Sequence, residues 1–436
     1  MSSTGPSGQG NFFERLLGDL VQMMGTAGSG AGPRLEMARS FAHNVAAGAT
    51  TEPNVDPVER IRLEELARVA EMQVAEVTGL SVTPTGQAVE ILALGPGQWA
   101  WHTVEDWQFL LGAMTGEPRS AQPGSGTPAA DRPDPGPEGT QGRHPSTTED
   151  TADGRPGLDH LFSGGVDGTF GEGDGDDLLN KVMATMGPML SAMKLGSAVG
   201  HLARTTMGTY ELPIPRPSTS RLLLVPANIA RFADDWGLAL DEVRLWVCLR
   251  ELTTHAVLAR PHVAERLRSL LHDFMAASPQ DATGMAGLLG GLDPTDPESI
   301  RNLFEDPEAL LEVAVSPERT RVSRDLAAVT APLAGYVEYV LEQAGNRLLG
   351  DRSVLAEAWR RNQVEGRASM SSTEAFLGLD VGSAQVDRGA TFVKGVVDRS
   401  GPEGLGRLWE SGATLPTPSE VDAPGLWLER LKLQED

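Results

Sequence analysis

Apolar residues recur at helical spacing along most of the chain, and this pattern predicts a mainly α protein. One short run, 222–225, has four successive apolar residues stopped by Pro226, and it predicts a buried strand. The fold class is therefore mainly α, an α+β arrangement with minor strand content. Helical stripes cover 11–24, 35–47, 56–78, 178–207, 228–236, 263–276, 317–347 and 352–363.

The broadest stripe lies in 241–262 and predicts a central helix over 243–258. Pro261 ends its pattern, because proline cannot continue a helix interior. The stripe is formed by Val243, Trp246, Val247, Leu249, Leu252, Val257 and Leu258. A helix that is apolar over so much of its surface belongs in a core, and we expect the other helices to pack around it.

Three tryptophans, Trp99, Trp101 and Trp107, flank a predicted helix start at Thr103. Threonine is a good N-cap, and Asp106 at the third position favours the same start. So many indoles within one short stretch indicate a packed corner of the core, and the alternative is a binding cleft.

Composition changes sharply over 117–177, where proline and glycine dominate and acidic residues far outnumber basic ones. Such a segment cannot bury enough apolar surface to offset its ordering entropy, so we expect a disordered insertion. Residues 1–10, rich in serine and glycine, are expected to be disordered as well. The predicted organisation is a helical N-terminal part, 11–116, the insertion, 117–177, and the main core, 178–436.

The formal net charge of −24 and the pI near 4.7 disfavour nucleic acid and anionic membranes as partners, since both require basic surfaces. Cys248 is the single cysteine, so no internal disulfide can form. Neither a signal peptide nor an apolar run long enough to cross a bilayer is visible, and no membrane insertion is expected. These features predict a reduced, cytoplasmic protein.

Within the central helix, Arg250-Glu-Leu-Thr-Thr-His255 differs at two positions from His-Glu-x-x-His. On a helix that motif holds one metal ion between two histidines, with the glutamate as general base. Together with 222–236, 240–246 and 260–267, the stretch resembles the zincin-like metallopeptidase family of actinobacteria, a hydrolase-type family also catalogued as a domain of unknown function. Typical members read close to His-Glu-Leu-Thr-His-His-Ala-Val, so Glu251 and His255 match the family.

A second stretch, Ala334-Gly-Tyr-Val-Glu338, resembles Glu-Gly-His-Ala-Glu of related sequences. The first glutamate there is the usual candidate for the third zinc ligand. The resemblance therefore implies a zincin-like helical fold in which Arg250, Thr254 and Ala334 stand at the former ligand positions. Tyr336 replaces the histidine of that second motif, and Glu338 is retained. We expect these two residues to neighbour the site.

Arginine stays protonated and repels a dication, threonine is a poor zinc ligand, and alanine is none. The sequence therefore predicts a non-catalytic binding or regulatory pseudoenzyme without a cofactor, in which Glu251 is a remnant general base. Its old peptide cleft would serve a peptide or protein partner. Arg250 would pair with Glu251 or Glu338 in place of the metal. The alternative is an active zinc-dependent metalloprotease with a rearranged site.

One rearranged site is open to the sequence. Glu251 and His255 are one helical turn apart, so a carboxylate and an imidazole share a face and could bind a metal. Further donors would come from His262, His272 or Glu338. The competing interpretation is a simple hydrogen bond between Glu251 and His255.

Overall fold

A computed structural model describes residues 31–48, 52, 54–83, 88–116, 174–217, 221–277, 316–348, 352–365 and 367–435. The predicted disordered N-terminus, 1–10, and the predicted helix over 11–24 lie outside these residues. So does the predicted insertion up to residue 173. The limits of that insertion, 117 and 177, remain predictions.

The chain divides into two compact units, one formed by 1–119 with 185–436 and one formed by 120–184. All elements below belong to the first unit, except that helix α5 begins in the second. The helices are α1 (Ala31–Ala47), α2 (Pro57–Thr78), α3 (Pro96–Asp106), α4 (Gln108–Met114), α5 (Asp174–Ala203), α6 (Pro226–Asp235), α7 (Leu240–Leu258), α8 (Pro261–Ala276), α9 (Pro317–Leu348), α10 (Arg352–Glu365), α11 (Arg367–Leu377), α12 (Ser383–Ser400), α13 (Pro418–Asp422) and α14 (Pro424–Glu435). Two 3₁₀ helices, Pro402–Trp409 and Gly412–Thr414, precede α13.

Two short strands, β1 (Glu90–Ala93) and β2 (Arg221–Leu224), form a parallel pair in which Ile91 lies opposite Leu222. These are the strands of the described part of the chain, so the prediction of a mainly α fold with minor strand content is confirmed. In the same residues, no helix combines the length and the apolar character needed to cross a bilayer.

Helix α7 is the central helix that the apolar stripe predicted, and it is observed over Leu240–Leu258. From Val243 to Leu258 every side chain except Arg244 and Arg250 is buried. It packs against α2, α6 and α9, which cover most of its circumference. Burial on this scale explains why the stripe is so broad, because a helix surrounded by others needs apolar residues on most faces.

Helices α9 and α12 approach each other closely where Gly335 faces Gly389. A Cβ atom at either position would overlap the main chain of the other helix, so only glycine fits this crossing. The crossing sets the position of the neighbouring turn of α9, which carries Ala334 and Glu338. The resemblance singled out these two residues as part of the site.

The predicted helix start at Thr103 is wrong. Helix α3 begins at Pro96, so Thr103 lies inside it and is fully buried. Proline at the first helical position presets the backbone there, and the Glu52 carboxylate accepts a hydrogen bond from the next N–H, that of Gly97, at 3.0 Å. The Thr103 hydroxyl instead accepts a hydrogen bond from Arg216 at 3.0 Å. Trp99 and Trp107 are buried in the main core, in agreement with the packed corner.

Candidate functional site

A cavity of about 70 Å³ lies among α7, α9, α10 and the first turn of α12. Arg250 and Thr254 reach it from α7, while Ala334 and Glu338 reach it from α9. The structure therefore brings onto one cavity the three residues that the resemblance aligns with zinc ligands. Its remaining charged side chains are Glu211 and Asp380, and Trp359 provides an aromatic wall.

The Arg250 side chain is the cation of this cavity, and it is 15% exposed. One of its nitrogens lies 3.5 Å from Glu251 and 3.9 Å from Glu211. The guanidinium carbon lies 4.7 Å from the centroid of the Trp359 ring, which is a cation–π contact. Arg250 is thus held by two carboxylates and an indole, and Glu251 is one of the two partners that the sequence predicted.

Glu251 lies behind Arg250 and is fully buried. Its carboxylate accepts a hydrogen bond of 2.8 Å from the main-chain N–H of Tyr210. The loop can come this close because Gly208 lacks a side chain, and a Cβ there would overlap the Glu251 carboxylate. Burial raises the pKa of Glu251 to about 7, against the opposing effect of Arg250.

Glu211 follows Tyr210 in the same loop, and its side chain is 9% exposed. Burial raises its pKa too, and the Arg250 guanidinium opposes that shift. Two buried carboxylates thus share one arginine. The residues that hold Arg250 outside its own helix, Glu211 and Trp359, were missed by sequence reasoning, since neither a loop residue nor an aromatic on a distant helix carries a periodic signal.

His255 points to Tyr210 rather than to Glu251. Its Nδ1 is hydrogen-bonded to the Tyr210 hydroxyl at 2.9 Å, and its buried Nε2 has no hydrogen-bond partner among the residues that the structure describes. Glu251 and His255 are therefore both tied to Tyr210, one through its main chain and one through its side chain. Desolvation lowers the pKa of His255 to about 4, so the imidazole is neutral at physiological pH.

These two groups impose opposite pH dependences on stability. Glu251 keeps its proton in the folded state up to about pH 7, so its contribution is full below its unfolded pKa of 4.5 and is lost as the pH rises to 7. His255 takes a proton in the unfolded chain near pH 6.5 but in the folded state only near pH 4. Its contribution is therefore full above pH 6.5 and is lost as the pH falls to 4.

Replacing Glu251 by glutamine should therefore expose the effect of His255. Between pH 4.5 and 6.5 the wild-type contributions of Glu251 and His255 largely cancel. From pH 4.5 to pH 6.5 the free energy of unfolding of Glu251→Gln should rise by roughly 3 kcal/mol, whereas that of wild type should stay nearly constant. Urea unfolding at several pH values measures this, and His255→Gln should show the opposite slope. Equal pH dependence in wild type and Glu251→Gln would contradict the buried position of the carboxylate.

The other predicted site residues are distributed as follows. The Thr254 hydroxyl donates to the Arg250 carbonyl oxygen at 2.9 Å, one turn back along α7. Tyr336 does not line the cavity; it packs edge-on against Trp409, with ring centroids 5.4 Å apart. His262 and His272 lie on α8 and do not line the cavity either.

The sequence profile described as zincin-like metallopeptidase matches residues 35–428, which is most of the chain. This chain belongs to the zincin-like metallopeptidase family. The match includes α7 and the Ala334–Glu338 turn of α9. The family that the sequence resembled is confirmed.

The fold of this zincin-like chain is also similar to that of a crystal structure from Chloroflexus aurantiacus, described as "a putative hydrolase with a novel fold". The TM-score is 0.57, with 19% sequence identity over 91% of this chain and 98% of the other. At that identity the likeness concerns the fold alone. No curated protein matches the chain.

The cavity residues of this zincin-like chain do not fit a zinc ion. Zinc takes nitrogen, sulfur or carboxylate oxygen ligands, usually with three from the protein at a catalytic site. Arg250 brings a fixed positive charge, and Ala334 brings no lone pair. Among the residues that the structure describes, no cluster of three or more histidine, cysteine, aspartate or glutamate side chains could hold a metal ion.

Proposed function

We propose that this chain is a non-catalytic member of its family, in which Arg250 stands in place of the metal ion and the remaining cleft binds a peptide or protein partner. The observation that carries the proposal is the position of the Arg250 guanidinium. It lies between Glu251 and Glu211 and against Trp359, on the cavity that Thr254 and Ala334 also line.

The charge balance of the cavity supports this assignment. A buried carboxylate without a counter-charge is costly, so a family member that lost its metal would need another cation near Glu251. Arginine meets that need because it is always charged and donates several hydrogen bonds in a planar fork. Arg250 is thus a structural substitute for the ion.

The same arrangement removes the chemistry of hydrolysis from Glu251. A general base of the His-Glu-x-x-His type acts on a metal-bound water. Here the Glu251 carboxylate accepts the Tyr210 N–H and contacts Arg250, so both the loop and the guanidinium hold it. Binding is the function left to the cleft, and a regulatory role would follow from it.

The runner-up is an active zinc-dependent hydrolase with a rearranged site. The unpartnered Nε2 of His255 favours it, because a neutral imidazole nitrogen is a metal ligand. The solved structure of similar fold carries a hydrolase description as well. Further donors would have to move toward His255 for such a site to form.

Metal removal separates the two functions. Protein purified without chelators should contain zinc far below one ion per chain, and EDTA should leave its unfolding midpoint unchanged. A bound ion stabilises the native state by mass action, so its removal would lower the midpoint. Stoichiometric zinc together with an EDTA-induced drop would support the active hydrolase instead.

A further inference from the structure

A groove of about 410 Å³ runs between α2 and strand β1, away from the cavity of Arg250. Its floor is apolar and is formed by three buried residues, Ala67, Leu252 and Ile91. Leu252 lies on α7 two residues after Arg250, which places it on the opposite face of that helix. The groove is therefore a separate site.

One wall of the groove is a strand edge. Five consecutive residues, 88–92, line it. Side chains of a strand alternate between two faces, so a surface lined by consecutive residues follows the edge of the strand rather than one face.

The hydrogen bonds of the sheet show which main-chain groups point into the groove. The N–H of Leu94 donates to the carbonyl of Leu224, and alternate residues of a parallel strand bond to the same side. The even-numbered residues of β1 thus face β2, whereas Ile91 directs its main-chain groups to the groove. Val89, which directly precedes the strand, faces the groove if the same alternation continues. In the described part of the chain, those groups have no hydrogen-bond partner.

The outer edge of β2 contrasts with this open edge. There the Thr209 hydroxyl donates to the Leu223 carbonyl at 3.1 Å and accepts from the Leu223 N–H at 2.7 Å. The N–H of Val225 donates to the carbonyl of Met207. The edge next to the Arg250 cavity is thus closed by the chain itself, while the edge of β1 is open.

The other wall of the groove is α2, which presents charges of alternating sign at Arg60, Glu64, Arg68 and Glu71. Arg60 and Glu64 are 3.8 Å apart and pair with each other. Arg68 and Glu71 have no such partner in the described ranges, and burial raises the pKa of Glu71. Residues i and i+4 of a helix are about 6 Å apart along its axis, close to the roughly 6.7 Å between residues i and i+2 of a strand. A strand with alternating charges therefore matches this wall.

We infer that the groove binds an extended segment of a partner protein, which adds to β1 as a third strand and carries an acidic residue opposite Arg68 and a basic residue opposite Glu71. Main-chain hydrogen bonds to Val89 and Ile91 would supply affinity, and the wall of α2 would supply selectivity. The apolar floor would receive the side chains of the strand that point inward.

The test uses full-length protein and a short fluorescent peptide with blocked ends, in which valine alternates with aspartate and lysine. Two N-methylated versions carry the methyl groups on one or the other alternating set of amides. The parent peptide should bind saturably. One N-methylated version should lose at least about tenfold in affinity, because it removes the hydrogen bonds to β1, while the other should bind like the parent. Equal binding of both versions, or no saturable binding of the parent, would overturn the inference.

A charge reversal on α2 tests the role of the charged wall of the groove. Arg68→Glu should weaken binding of the parent peptide, and a peptide with lysine and aspartate exchanged should regain affinity for this variant. The matched control is Arg360→Glu on the exposed surface of α10, which does not line the groove and should change nothing. Sedimentation tests whether a second copy of the chain occupies the groove instead. A wild-type dimer that dissociates when the peptide is added would show that it does, and would overturn the assignment to a partner protein.

Discussion

Arg250→Ala should destabilise the protein by about 3–5 kcal/mol at pH 8, because it leaves the buried Glu251 and Glu211 carboxylates without their counter-charge. The loss includes the contact with Trp359, which the truncated side chain cannot make. Urea unfolding followed by circular dichroism measures the free energy of unfolding.

The cost should depend on pH. The pKa of Glu251 is about 7 even with Arg250 beside it, and losing the arginine raises it further. Below pH 6 the carboxyl can therefore take up a proton instead of staying charged, and the destabilisation should shrink. Adding Glu251→Gln to Arg250→Ala should recover part of the lost stability at pH 8, because glutamine, like the protonated carboxyl, carries no charge.

Arg62→Ala is the control for the loss of an ordinary ion pair. Arg62 pairs with Asp241 at 2.6 Å, but the two side chains are 43% and 50% exposed. Exposed pairs contribute about 0–1 kcal/mol, so this variant should remain close to wild type. An Arg250→Ala effect no larger than the control would contradict the structural role of the Arg250 cluster.

The sequence predicted the elements that carry a local signal. The stripe of α7, Pro261 after its end and the apolar run at 222–225, which overlaps β2 over Leu222–Leu224, are all visible along the chain. Strand β1 was not anticipated, because its partner lies far along the chain and parallel pairing leaves no local mark. The helix start at Thr103 was misplaced, because Pro96 already begins that helix.

The residues of the site also differ in how far the sequence could predict them. Arg250 and Thr254 are one turn apart on a helix, so their common face follows from spacing alone. The approach of Ala334 could be proposed only from the family resemblance. Tyr210 and Glu211 lie in a non-helical segment between α5 and β2, and no periodicity connects them with α7. Their contacts with Glu251, His255 and Arg250 required the structure.

The second large effect is expected from rebuilding the ligand set. Arg250→His, Thr254→His and Ala334→Glu together would place two imidazoles and a carboxylate on the cavity that these three positions line. The variant should bind zinc with a Kd below about 1 µM. Zinc should also raise its unfolding midpoint, since the ion replaces the positive charge lost with Arg250.

Hydrolysis need not return with the metal. Groups that hydrogen-bond to metal ligands orient those ligands, and at this site Tyr210 holds both Glu251 and His255. The double variant Arg250→His with Thr254→His is the matched control, because it keeps Ala334 and lacks the third ligand. It should bind zinc more weakly than the triple variant by about tenfold or more.

The most direct measurement is a zinc titration of wild type and the triple variant side by side, with a chromophoric chelator as competitor. We expect about one tightly bound zinc per chain for the triple variant and no competition from wild type. Equal zinc affinity of the two proteins, or no binding by either, would contradict the claim that Arg250, Thr254 and Ala334 occupy the former metal site.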